Sequence, residues 1–139
     1  MKKNLCLFIS GAIIYPLMEI TCRGRTDFSM AVAGGVCLCL INKVCNGKMK
    51  AMPLCAKCFA GSGIITTVEF IIGILVNKIL KLDVWDYSDI PLNILGQICP
   101  RFSIIWFLLT IPAMQLCMFY DRLQDKLPHL LLKRGKSRR

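Results

Sequence analysis

Residues 59–80 read Phe59-Ala-Gly-Ser-Gly-Ile-Ile-Thr-Thr-Val-Glu69-Phe-Ile-Ile-Gly-Ile-Leu-Val-Asn77-Lys-Ile-Leu80. The hydrocarbon core of a bilayer is about 30 Å thick, so a spanning helix needs about 20 consecutive, mostly apolar residues. This run meets that length, and before Lys78 its one charged residue is Glu69. A carboxylate in the middle of a span costs about 2.5–3.5 kcal/mol on insertion scales, so it must face other helices or a wet cavity. Ser62, Thr66, Glu69, Gly73 and Asn77 recur at spacings of three and four, which puts them on one helical face opposite Ile, Leu, Val and Phe. Such a stripe either lines a binding site or joins helices through hydrogen bonds. For Glu69 the first reading is favoured, for Ser62 and Thr66 the second.

Three further apolar runs flank it, at 4–20, 28–41 and 102–120. The expected fold is all-α, an integral membrane bundle of about four transmembrane helices with a short outer interfacial or re-entrant helix. Its membrane domain covers residues 1–120, with spans at about 4–20, 28–44, 59–80 and 102–120, and a basic cytoplasmic tail follows at 121–139. The second run is short, so it must extend past Asn42 and Lys43 by snorkelling or thin the bilayer locally. The first resembles a signal peptide, with Lys2 and Lys3 ahead of an apolar stretch. It lacks a small-x-small cleavage site and ends at Glu19, so it reads as a retained helix.

Composition agrees. Hydrophobic residues make up 55% of the 139-residue chain and charged ones 19%, with a mean hydropathy of +0.58. Soluble domains sit near 45–50% and 25%, which excludes a disordered chain, a collagen-like chain and an ordinary water-soluble enzyme. The net charge of +10 does not point to nucleic acid, because the charges lie mostly outside the apolar runs without aromatic-basic interleaving. It reports topology instead. Lys2, Lys3, the lysines of the 43–58 loop and the cations after Asp121 fall on one side of a four-span chain. Only Arg23, Arg25, Lys78, Lys81 and Arg101 fall on the other. Positive charge marks the inner side, so both termini are expected to be cytoplasmic. The tail reads as a topology anchor in preference to a binder of anionic lipid head groups.

Several of the nine cysteines lie inside apolar runs and read as small hydrophobic packing residues. Cys55-Ala-Lys-Cys58, with Cys45 upstream, is a weak metal or redox candidate. It lacks a second C-x-x-C pair, and His129 is the only histidine. The sequence has no G-x-x-x-x-G-K-[ST] loop, no H-E-x-x-H and no G-x-S-x-G. Any enzymatic reading therefore rests on carboxylates or cysteines, and no cofactor is implied.

Polar residues elsewhere join Glu69. Gly11, Tyr15 and Glu19 share a helical face, and Arg23 is one turn beyond Glu19, placed to pair with it. The segment from Trp85 to Gln97 is the most distinctive. Asp89 suits the N-cap of a helix carrying Pro91 in its first turn, with Asn93 and Gln97 on one face. Trp85 and Tyr87 suit the membrane interface. The segment reads either as an aromatic belt beside a capped helix or as a lid over a polar interior. The ligand-site candidates are Glu19, Arg23, Glu69, Asn77, Trp85, Asp86, Tyr87, Ser88, Asn93 and Gln97.

At these positions the chain resembles a family of small bacterial membrane proteins labelled ABC-transporter permeases, of the CmpB type. It is also similar to the vertebrate transmembrane-protein-229 group. The resemblance covers most of residues 8–115 and rests on Gly11-x3-Tyr15-x3-Glu19, Arg25-x3-Ser29 with Gly34-Gly35, Glu69 with Gly73, and Trp85-Asp86-Tyr87-Ser88. Asn93-x2-Gly96-Gln97-Ile98-Cys99 and Trp106 complete it. The cysteine-rich loop at 45–58 departs from the family pattern. The resemblance implies a multi-span protein of the bacterial cytoplasmic membrane, with Glu19, Glu69, Asp86, Tyr87, Ser88, Asn93 and Gln97 forming a polar site. The expected function is that of a small permease or transporter subunit that binds a polar solute or proton at an intramembrane carboxylate. Its partners would be the lipid bilayer and either further copies or a separate ATPase subunit. The alternatives are a structural or assembly protein and an intramembrane enzyme acting on a lipid head group.

Overall fold

The computed structural model describes the backbone of residues 2–136 and the side chains of residues 3–126. Four helices form it: α1 (Lys2–Arg23), α2 (Phe28–Ile41), α3 (Leu54–Gly73) and α4 (Pro100–Lys136). Among the described residues there is no strand, only an isolated bridge between Ile94 and Ile98. The all-α expectation holds. Each helix is long and apolar enough to cross a bilayer over Lys3–Arg23, Phe28–Lys48, Leu54–Ile79 and Pro100–Lys126.

The second and third spans reach their length by loosening their last turns. Beyond α2 the chain continues as a π-helical segment, Asn42–Lys48, closed by the Met49 amide donating to the Val44 carbonyl at 2.8 Å. Beyond α3 a second π-helical segment, Ile74–Ile79, ends with the Leu80 amide donating to Leu75 at 2.9 Å. The apolar run that seemed short thus becomes a 21-residue helical stretch. Asn46, within the first π segment, donates its side-chain amide to the Met114 carbonyl of α4 at 3.1 Å.

The turn between α1 and α2 is short. Asp27 caps α2 by accepting the Ser29 amide at 2.8 Å, and that bond holds its carboxyl below the usual range. The two helices then pack with their backbones almost touching. A Cβ on Gly11 would meet the Gly34 backbone and come within 3.0 Å of the Gly35 Cα. In a bilayer, where neighbouring lipid tails are as apolar as leucine, such close packing of small residues is what holds helices together. At the end of the bundle away from the 80–99 loop, Lys3 of α1 pairs with Asp121 of α4, and Ser10 shares a 2.8 Å hydrogen bond with Tyr120.

One expected element is absent. Residues 89–98 do not form a capped outer helix; the segment from 80 to 99 is a chain of turns. The reason is local competition from side chains. Asn93 donates to the Ser88 and Ile90 carbonyls (3.1 and 2.8 Å) and accepts the Gly96 amide at 3.0 Å. Leu92 and Leu95 are left-handed, with φ of 60° and 54°, so the helix that Asp89 and Pro91 seemed to start cannot propagate. Pro100 instead opens α4, at the helical position where its missing N–H costs nothing. The basic tail beyond Lys126, His129 included, lies outside the described side chains.

Candidate functional site

Glu69 sits where three helices meet. Along α3 the buried positions are Cys58, Gly61, Ile65, Glu69 and Gly73, spaced by three and then by four residues, and the face they form meets Tyr15 of α1 and Trp106 and Thr110 of α4. Glu69 is 2% exposed. Tyr15 of α1 donates its hydroxyl to Glu69 Oε1 at 2.6 Å, and Trp106 of α4 donates Nε1 to Oε2 at 2.8 Å. The two rings stack on each other with centroids 5.6 Å apart. Each carboxylate oxygen thus has one neutral donor. Among the described residues no lysine or arginine nitrogen lies within ion-pair distance of Glu69; the ion pairs are Lys3–Asp121 and Arg23–Glu19.

A second cluster, nearer the loop from 80 to 99, surrounds Glu19. Its Oε2 accepts the Thr26 hydroxyl at 2.7 Å, and Arg23 lies 3.6 Å from its Oε1. The expected one-turn pairing is therefore present. Arg23 also donates to the Tyr87 hydroxyl. Its guanidinium lies 5.2 Å from the Tyr87 ring centroid and 5.6 Å from that of Phe102, so it is held over two aromatic faces. Burial pushes the Tyr87 phenol up from its ordinary range, so it stays neutral and accepts from arginine. Tyr87 stacks on Phe102 at 4.6 Å, and Phe102 stands 6.5 Å from Trp106. An aromatic column therefore runs from Arg23, at the end of α1, to the group that holds Glu69.

The loop from 80 to 99 is tied to the end of α3 through Asn77, which is buried in the π-helical segment. Asn77 Oδ1 accepts the Val84 amide at 2.7 Å, and its Nδ2 donates to the Trp85 carbonyl at 3.0 Å and Gln97 Oε1 at 2.7 Å. Trp85 Nε1 in turn donates to the Gln97 carbonyl at 3.1 Å. A Cβ on Gly73 would stand 2.5 Å from Gln97 Oε1 and 2.9 Å from Trp85 Cζ2, so the loop settles on α3 only because residue 73 has no side chain.

The sequence candidates thus divide into three groups. Glu19, Arg23 and Tyr87 form the cluster beside the loop, and Glu69 lies deeper in the bundle. Asn77, Trp85 and Gln97 form the anchor of the loop. Asp86, Ser88 and Asn93 close its turns: Asp86 Oδ1 accepts the Ser88 amide at 2.9 Å and hydroxyl at 2.5 Å, and both residues are exposed. These bonds hold the Asp86 carboxyl below its ordinary value. Ser62 and Thr66 serve as helix glue, bonding to the Ser103 carbonyl (2.6 Å) and hydroxyl (3.1 Å) of α4. Among the described residues, no three His, Cys, Asp or Glu side chains meet where a metal ion could be held. Cys45 is buried with its thiol on the Lys57 carbonyl at 3.4 Å, Cys58 is buried, and Cys55 is exposed.

Tyr15 and Trp106 were not among the candidates. The signal for each was present, since Tyr15 precedes Glu19 by four residues on one face. A tryptophan in the middle of an uncharged run also needs a partner for its indole N–H.

Four helices long and apolar enough to cross a bilayer, packed around a buried carboxylate with a folded loop over one end, define a multi-pass membrane protein. Residues 29–133 match the CmpB family, described as "Putative ABC-transporter type IV". The chain belongs to that family. No curated protein and no solved structure matches it.

Proposed function

We propose that the chain is a permease-like transporter subunit whose intramembrane carboxylate, Glu69, takes up a proton or the cationic group of a polar solute. The observation that carries this reading is a fully buried Glu69 held by two neutral donors and, among the described residues, by no ion-pairing cation. A lone ionised carboxylate in a low-dielectric interior is costly, and a proton or a cationic ligand relieves that cost. Tyr15 and Trp106 fix the carboxyl in place. Arg23, bound to both Glu19 and Tyr87, latches the outer loop, and release of that latch opens the way along the aromatic column. In this reading the protein lies in the bacterial cytoplasmic membrane with both termini inside. It works as an oligomer or with a separate ATPase subunit, because the chain carries no nucleotide-binding loop of its own.

The test compares wild type with Glu69→Gln after both elute as equally folded species in size-exclusion chromatography. A small molecule that copurifies with wild type and is lost from the variant supports solute binding. Acidification of proteoliposomes that needs Glu69 supports proton uptake. A second reading, a structural or assembly protein, is favoured by the Ser62–Thr66–Ser103 seam, where membrane-embedded polar groups satisfy one another across α3 and α4. It predicts neither effect, only a weaker bundle in Glu69→Gln.

A further inference from the structure

Between α1, α2 and α4, on the far side of the Tyr15 and Trp106 rings from the outer loop, lies a cavity of about 300 Å³. Its walls are apolar: Met18, Cys37, Ile41, Ile65, Leu109 and Leu116 are among them. That volume stands at the lower edge of ligand pockets, about 300–1,000 Å³, and is about twice that of an engineered apolar cavity that stays dry and binds benzene. A polar solute would find no partner here. Two of the lining residues, Ile14 of α1 and Pro112 of α4, are also exposed on the outside of the bundle, so the cavity opens sideways between these helices. Both helices are spans, and the medium on that side is lipid hydrocarbon.

We propose that this cavity is a binding site for one hydrocarbon chain of a bilayer lipid, which enters laterally between α1 and α4 and ends against the Tyr15 and Trp106 rings. Water is excluded because the walls offer it too few hydrogen-bond partners. A chain drawn from the surrounding lipid gains close packing on every side, which loosely packed tails do not provide. The site does not depend on what Glu69 binds. It does place the chain against the two rings whose polar atoms hold that carboxylate.

The full chain reconstituted in phosphatidylcholine vesicles brominated at mid-chain provides the test. Trp106 lines the cavity and is otherwise buried, so bromine reaches it through a chain inside. Trp85 lies in the outer loop and contributes a constant background. The expected result is strong quenching in wild type and loss of the Trp106 component in Ala113→Phe, which fills the cavity from its wall. Ala113→Met, a smaller and more flexible filler, gives the same loss and serves if the phenylalanine variant does not fold. Quenching equal in wild type and both folded variants overturns the proposal, as does an unquenched Trp106 in wild type, the mark of an empty cavity. Quenching that fades as protein is concentrated at fixed lipid also overturns it, because a second copy would then be the occupant.

Discussion

Glu69 accepts two hydrogen bonds from side chains that come from opposite ends of the sequence, Tyr15 and Trp106. Trp106→Phe removes one donor and leaves a buried oxygen unsatisfied, which costs about 1–3 kcal/mol or more for a charged acceptor. Its expected effect is a lower melting temperature in detergent, measured by intrinsic fluorescence. Because Glu69→Gln removes the charge that the missing donor served, the double variant should lose less than the sum of the two single effects. A strictly additive pair would break the assigned contact. At the rim the pH dependence has a definite sign. The Asp86 carboxyl is held below its ordinary value of 3.8 by Ser88. A depressed carboxylate stabilises the folded turn fully above that value, and the contribution disappears as pH falls through the lower folded one. Hydrogen exchange at the Ser88 amide should therefore show protection at neutral pH that is lost only in strong acid, below the ordinary carboxylate range. Asp86→Asn should remove that pH dependence.

Among the elements, the loop from 80 to 99 depends most on a few side chains. Asn77 alone serves the Val84 amide, the Trp85 carbonyl and Gln97. Asn77→Ala should free the Val84 amide to exchange while leaving the helical amides of α1 and α2 protected. Uniform loss of protection would mean that Asn77 supports the whole bundle instead. The same loop marks the limit of sequence reading. The spans were legible because hydrocarbon demands long apolar runs, and the inward turn of Glu69 was legible because a charge inside such a run is costly against lipid. The loop was misread as a helix because Asp89 and Pro91 are good helix starters. What defeats them is the set of bonds Asn93 makes with Ser88, Ile90 and Gly96, together with left-handed Leu92 and Leu95. None of that follows from spacing. The π-helical turns were equally hidden, since Ile74–Ile79 reads as the ordinary end of an apolar helix running into Asn77 and Lys78. The Tyr15–Glu69–Trp106 triangle joins residues that only the packed helices bring together.

At the scale of the whole molecule, the bundle depends on α1 and α2 meeting at glycine. Gly11→Leu should push the pair apart and cost about 1–3 kcal/mol or more through overpacking, read as a lower melting temperature and a broadened size-exclusion peak. Topology is open to a direct check with the protein's own thiols. Cys22 and Cys55 are both exposed and lie at opposite ends of their spans. With both termini inside, an impermeant maleimide applied to intact cells should label Cys22 and spare Cys55; the reverse pattern would invert the orientation. The three-helix meeting point also has a consequence for how the chain is made. Trp106 belongs to α4, which leaves the ribosome after α1 and α3, so the nascent protein holds Glu69 for some time with one of its two donors missing. A chain that stops before α4 leaves that carboxyl with the Tyr15 hydroxyl alone of the two donors, a costly state for a charged group in hydrocarbon.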